Sequence, residues 1–133
     1  MGAALLGLVS VGMTPGCQGH LVRAQAAEGF SLVETATNAV TEYYVERGAL
    51  PDDNAEVGLP PRGADTGRYV NAVRVLSGGR VEATFDTPDT QLALRTQTLV
   101  MEPEISSGSI TWKCSGTLAP QNLPAACAAR ATN

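Results

Sequence analysis

The chain has 133 residues, 44% of them apolar, and a formal net charge of −4 from 13 acidic and 9 basic side chains. That is enough for one compact domain with a projecting segment. The basic residues are scattered, so the positive stripe of a nonspecific phosphate binder is missing and DNA is not an expected partner.

The opening run from Gly2, GAALLGLVSVGM, carries no charge, and no targeting pattern fits it fully. No Lys or Arg precedes Arg23, which leaves out the basic start of a secretory signal. The uncharged stretch from Gly2 to Gly16 falls short of the roughly 20 residues that a membrane-spanning helix needs. Thr14-Pro15-Gly16-Cys17 has the small residue of a lipoprotein cleavage box before its cysteine, but threonine stands where such boxes usually carry leucine. Pro15 and Gly16, following Gly7 and Gly12, predict a break or a loosened turn.

Residues 18–47 carry a helical period. Leu21, Ala24, Ala27, Leu32, Ala36, Ala39, Val40, Tyr43 and Glu46 recur at three or four and define the expected inner face, with Arg23, Gln25, Glu28, Glu34, Asn38, Glu42 and Arg47 filling much of the remainder. Read as one helix from the start of the chain, the whole would be on the order of 60 Å long. A domain this small cannot cover such a rod, so an apolar segment, 1–17, is expected to project from a head made of 18–133. Gly48 and then Pro51 supply the helix stop. The span 48–67, dense in Pro, Gly, Asp and Asn, reads as an irregular loop.

Period-2 alternation follows. In 68–76, Val73 and Val75 share a face opposite Arg74; Ser77-Gly78-Gly79 turns the chain; in 80–86, Val81, Ala83 and Phe85 alternate with Glu82, Thr84 and Asp86. A second pair, 97–105 and 109–115, is joined at Ser106-Ser107-Gly108 and puts Ile110, Trp112 and Cys114 on one face. Pro103 cannot donate to a ladder, so it belongs at an edge or a bulge. The expected fold is α+β, a four-stranded antiparallel sheet covered on its apolar face by the long N-terminal helix.

Of the three cysteines, Cys17 stands alone and Cys114 and Cys127 lie close together. Either the late pair closes a short loop, as in extracytoplasmic domains, or all three are unrelated buried thiols. Such a crosslink would contribute roughly 3 kcal/mol by constraining the unfolded chain. It would also hold down SGTLAPQNLPAA, which is poor in large apolar residues.

Nothing in the sequence assembles a catalytic centre. His20 is the one histidine and has no partner cluster for a metal; Ser31 and Ser77 lack a His/Asp pattern; Asp52-Asp53 and Glu102/Glu104 fall in loop or edge positions where solvated charge is the default. Gly78-Gly79 is a hairpin turn and not a phosphate loop. The expectation is no enzyme, no catalytic residue, no metal and no cofactor.

RAQAAEGFSLVETATNAVTEYYVERGALPDDNAEVGLP resembles the exposed half of the long helix and the following loop of type IV pilins of the major-pilin kind. TLVMEPEISSGSITWKC followed by NLPAAC is similar to that family's last two strands and disulfide-bounded region. The resemblance covers nearly the whole chain. It implies a Cys114–Cys127 disulfide over 114–127 and a ladle-shaped subunit whose apolar helix packs in the core of an extracellular pilus on a Gram-negative bacterium. Leu5, Leu6, Leu8, Val9, Val11 and Met13 would then be filament-core or membrane residues, and Gly12, Pro15 and Gly16 a helix break. The implied partners are identical pilin subunits, the inner membrane before assembly, the assembly machinery and a host surface.

Those pilins open on a short basic leader and an aromatic-led apolar run containing a glutamate, and neither precedes Gly2 here. Three readings remain: a start placed too late, an N-terminal piece removed, or an assembly signal lost. Gly29-Phe30-Ser31-Leu32-Val33-Glu34 mimics the prepilin cleavage site, but TATNAVTEYYVERG after it is too polar to enter a membrane, so the match reads as coincidence. Two functions from different classes follow: a structural pilus subunit for adhesion or twitching motility, or a minor, pseudopilin-like or surface-anchored binding component that does not polymerise.

Overall fold

The computed structural model of the chain describes residues 15–63 and 66–128. Helix α1 spans Pro15–Arg47 and lies across a four-stranded antiparallel sheet of β1 (Ala72–Val75), β2 (Val81–Phe85), β3 (Gln97–Ser106) and β4 (Ser109–Gly116), with a short α2 (Ala125–Ala128) at the end. The strands are ordered β1-β2-β3-β4, a meander in which every neighbour in sequence is a neighbour in space. This is the expected fold class. Strand β1 is shorter than the alternation over 68–76 predicted. Asn71 still donates its N–H to Thr84 O of β2 at 2.9 Å, but before it the chain turns away: the Tyr69 N–H donates to Glu28 Oε1 at 2.8 Å and the Gly67 N–H to Val70 O at 3.2 Å.

Helix α1 buries a different face from the one its period suggested. Val22, Ala26, Phe30, Val33, Ala36 and Val40, spaced by four and three, form the buried stripe. Of the expected face only Ala36 and Val40 are buried, while Leu21, Ala24 and Ala27 are exposed. Periodicity could not decide, because the first half of α1 offers two apolar sets at helical spacing, Leu21, Ala24 and Ala27 on one and Val22, Ala26 and Phe30 on the other. Close approach decides it: a Cβ on Gly29 would stand 2.3 Å from Cζ of Phe85. The fully buried Phe85 ring therefore sits where α1 has no side chain, and the helix face carrying that gap is the one that docks.

The sheet answers with alternation. Val81, Ala83 and Phe85 of β2 are buried, Glu82 and Thr84 only partly so, and Leu99 and Met101 of β3 complete the layer beneath α1. Strand β3 is interior in the sheet order, but β2 pairs with it only from Gln97 to Met101. Pro103 lies beyond that point, opposite Trp112 of β4, so it occupies a local edge where no donor toward β2 is required. The β3–β4 hairpin thus extends past the rest of the sheet as a two-stranded arm.

The end of α1 is set by Gly48, whose φ of 70° is the left-handed cap conformation and whose N–H returns to Tyr44 O at 2.8 Å. Cys114 and Cys127 form a disulfide with Cα atoms 5.7 Å apart, so the three-thiol alternative is ruled out. Leu118, Pro124 and Cys127 inside or closing that loop are buried, so it contributes to the core as well as being stapled to it.

Candidate assembly surface

The residues singled out for filament packing divide at Pro15. Leu5, Leu6, Leu8, Val9, Val11, Gly12 and Met13 lie outside the described residues. Pro15 and Gly16 are the first two described residues of α1. The bond that the missing Pro15 N–H would make in a continuous helix points to residue 11, also outside the described region. Among the described residues no helix is long and apolar enough to cross a membrane.

Where α1 enters the head, Gln25 is buried and ties the helix to the β2–β3 connection. Its Oε1 accepts from the Gln91 N–H at 2.9 Å and its Nε2 donates to Asp89 O at 3.4 Å. Beyond this clamp Leu21 and Leu92 are exposed, Leu92 at 82%. Arg68 and Asp89 pair on the same rim at 3.3 Å. Sequence reading placed Gln25 on the polar side of the helix. A glutamine surrounded by alanines, one turn before the buried Gly29, was the available signal for a buried carboxamide.

At the other end of the head the Trp112 indole N–H donates to Thr41 Oγ1 at 3.2 Å, fixing β4 over the last third of α1. The Thr41 hydroxyl in turn donates to Thr37 O at 2.8 Å, one turn back along the helix. Val45 and Ile105 are exposed nearby. Lys113 pairs with Glu104 across the β3–β4 arm at 2.9 Å.

The loop after α1 is more ordered than a run of Pro, Gly and Asp suggested. Asn54 Oδ1 accepts from the Val75 N–H at 2.6 Å, while its Nδ2 donates to Val73 O at 3.1 Å and Pro60 O at 2.8 Å. One carboxamide thereby does for the open edge of β1 what a neighbouring strand residue would do. Asp52 Oδ1 accepts from Ser77 Oγ and the Gly78 N–H, and Glu56 accepts from the Tyr43 hydroxyl at 2.8 Å and the Asp52 N–H at 3.0 Å. The bond to Glu56 is the first cause that raises the Tyr43 phenol above its ordinary 10.0.

The residues tested for catalysis do not converge. His20 and Ser31 are exposed on α1, and Ser77 donates to Asp52 in a turn. Among the described residues no group of three or more His, Cys, Asp and Glu is placed to hold a metal ion. A hollow of about 70 Å³ between α1 and the loop, walled by Leu32, Leu59, Pro60 and Val73, has room for a few waters. A depression of about 380 Å³ beside the β3–β4 arm is open and walled by Arg80, Glu102, Glu104 and Lys113, unlike the apolar enclosure typical of a small-molecule site. What the head offers is outer surface.

The family model for pilin, described as a bacterial filament, matches residues 22–128. The chain is 31% identical over 132 residues to the fimbrial protein EcpC of Eikenella corrodens, covering 97% of this chain and 85% of that protein. It is 32% identical over 111 residues to the type IV major pilin PilE of Neisseria gonorrhoeae, covering 84% of this chain and 66% of PilE. A fimbrial protein of Neisseria meningitidis is 31% identical over 111 residues, with 84% and 65% covered. The chain thus spans about two thirds of the length of the neisserial proteins it matches. A family match over most of the head, on a helix laid over a four-stranded meander and closed by a late disulfide, places this chain in the pilin family.

Proposed function

We propose that this pilin is a structural subunit of a type IV pilus, assembling with identical copies into an extracellular filament on a Gram-negative bacterium. The observation that carries the reading is the match of the pilin family over residues 22–128 to a head with the helix, meander and Cys114–Cys127 clasp described above. Physical chemistry supports it from the other end of the chain. An uncharged stretch such as GAALLGLVSVGM has no favourable contact with water, and bundling many copies removes it from water without any other partner. A head-to-tail contact that does not close on itself yields a helical polymer.

In this reading Leu5, Leu6, Leu8, Val9, Val11 and Met13 are contact residues of the filament core, held in the inner membrane before assembly. Gly12, Pro15 and Gly16 let the helix bend or melt as it packs. The partners are identical subunits and the assembly machinery, with a host surface as a further one; attachment and twitching motility are the activities such a filament serves. The chain does no chemistry. The test is to shear cells that express it and image the supernatant. Abundant thin filaments that contain the chain are the expected result. Filaments without it, or none, would leave a minor or pseudopilin-like component instead.

A further inference from the structure

The four large hydrophobic side chains that stand exposed among the described residues sort to the two ends of the head. Leu21 (38%) and Leu92 (82%) lie where α1 enters; Val45 (74%) and Ile105 (43%) lie where it leaves. The placement follows from contacts. Gln91 is bonded to Gln25, so Leu92 is level with that turn of α1, and Leu21 is one turn below. At the upper end, Gln97 stands beside Phe85, which covers Gly29, and Pro103 stands beside Trp112, which reaches Thr41. Strand β3 therefore climbs with α1: six strand residues rise about 20 Å while twelve helix residues rise about 18 Å. Two residues further along β3, Ile105 is level with Val45. The two apolar ends are about 36 Å apart along α1.

Charge follows the same division. At the base Arg23 is exposed and has no ion-pair partner among the described residues; at the top the same holds for Glu42 and Glu46. Arg47 stacks on the Tyr43 ring at 4.8 Å and Asp89 pairs with Arg68, while Asp86 toward the base and Arg80 toward the top are also exposed and without an ion pair among the described residues. On α1 itself, the upper end thus presents Val45 beside the carboxylates of Glu42 and Glu46, and the lower end presents Leu21 beside the guanidinium of Arg23.

We propose that these ends dock on each other between successive copies of this chain: Val45 and Ile105 of one head seat against Leu21 and Leu92 of the next, with Glu42 and Glu46 facing Arg23. The contact joins two different patches, so it repeats along an axis without closing. Two aliphatic side chains on each face are far less than the area a stable dimer needs, which suits a contact formed only where other contacts already align the subunits. The inference rests on the filament reading above and adds the surfaces that would set subunit spacing.

The test uses the full chain with Cys17→Ser, combined with Leu92→Cys and Val45→Cys. These two positions are far too distant within one chain to be bridged, so any new disulfide between them joins two copies. Filaments sheared from cells and mildly oxidised should run on a non-reducing gel as a ladder that collapses on reduction, while each single variant runs as monomer. Intact filaments whose double variant stays monomeric overturn the contact and leave the polymer standing. Dimers from a single variant also overturn it, because they mean like patches meet. Absence of filaments from the unmodified chain removes the polymer reading itself and this inference with it. Should the cysteine variant not assemble, charge reversal decides: Arg23→Glu should lower the filament yield about tenfold, and adding Glu42→Arg with Glu46→Arg should restore it. Failure to restore overturns the proposal.

Discussion

Phe85 is fully buried against α1 in a space left by the missing side chain of Gly29, whereas the loop after α1 is fastened to β1 by the three hydrogen bonds of Asn54. Behind Phe85 stands a continuous apolar layer, from Val33 and Val40 on the helix to Val81, Leu99 and Met101 on the sheet. In the loop, by contrast, Pro51 is the one buried side chain between Gly48 and Gly63, and Leu50, Val57 and Leu59 are only partly covered. Shape holds the first region and a handful of directed polar contacts hold the second. Volume changes should therefore be costly in one, and loss of a single group should be costly in the other.

The largest effect is expected from Phe85→Ala, which removes a fully buried ring and leaves a cavity between two rigid layers. A loss of roughly 3–5 kcal/mol in unfolding free energy by denaturant titration is the expected outcome. A loss under about 1 kcal/mol would mean that α1 settles into the gap, and that shape does not hold the interface.

Next is Gly29→Ala, which puts a methyl 2.3 Å from the same ring. Overpacking of this kind costs about 1–3 kcal/mol, although alanine is the better helix former by about 1 kcal/mol. A net loss would show that the contact outweighs propensity, and Phe85→Leu in the same chain should recover part of it. If Gly29→Ala is neutral or stabilising, the face of α1 is chosen by something other than this approach.

The two regions also differ in how far they could be read from residues alone. The alternation of Val81, Ala83 and Phe85 with Glu82 and Thr84 was legible because a strand buried on one face has only two phases, and one of them is apolar. Helix α1 was legible as a helix but not in its phase. Leu21, Ala24 and Ala27 look as suitable for burial as Val22, Ala26 and Phe30, and the choice lies in a glycine matching a ring 56 positions away. Asn54 was unreadable for a related reason, and Gln25 had only its alanine neighbours to mark it: a carboxamide that completes another element's backbone looks like any loop or surface amide until its partners are in place. The disulfide was legible as one of two options, and the resemblance to pilins pointed to the right one.

Removing the loop's clamp should be milder and more local. Asn54→Ala leaves the Val75 N–H without its acceptor and frees two carbonyls, a change expected to cost about 1–3 kcal/mol. Hydrogen exchange should accelerate at Val75 and through the loop while β2 and β3 stay protected. Asn54→Asp sharpens the point. It keeps an acceptor for Val75 but turns a second oxygen toward Val73 O and Pro60 O, so it should be no better than alanine. An aspartate that behaves like wild type would show that the donor half of the carboxamide is idle.

The smallest effect tests the polar region by titration. The Tyr43 hydroxyl donates to Glu56 Oε2 at 2.8 Å, and this bond, followed by desolvation and the repulsion between a phenolate and that carboxylate, holds the phenol above 10.0 against a smaller opposing pull from Arg47. A proton bound more tightly in the folded state stabilises the fold below the unfolded value and ceases to do so as pH rises through the raised folded value. The loop end of α1 should therefore loosen only in the alkaline range, with no corresponding change at acid or neutral pH from this group. Glu56→Gln removes both the charged acceptor and the repulsion, so the phenolate absorbance assigned to Tyr43, by difference from Tyr43→Phe, should appear at lower pH than in the unmodified chain. An unchanged titration would mean that Glu56 does not hold this end of the loop to the helix, leaving Asn54 as the group on which the comparison with the helix–sheet interface rests.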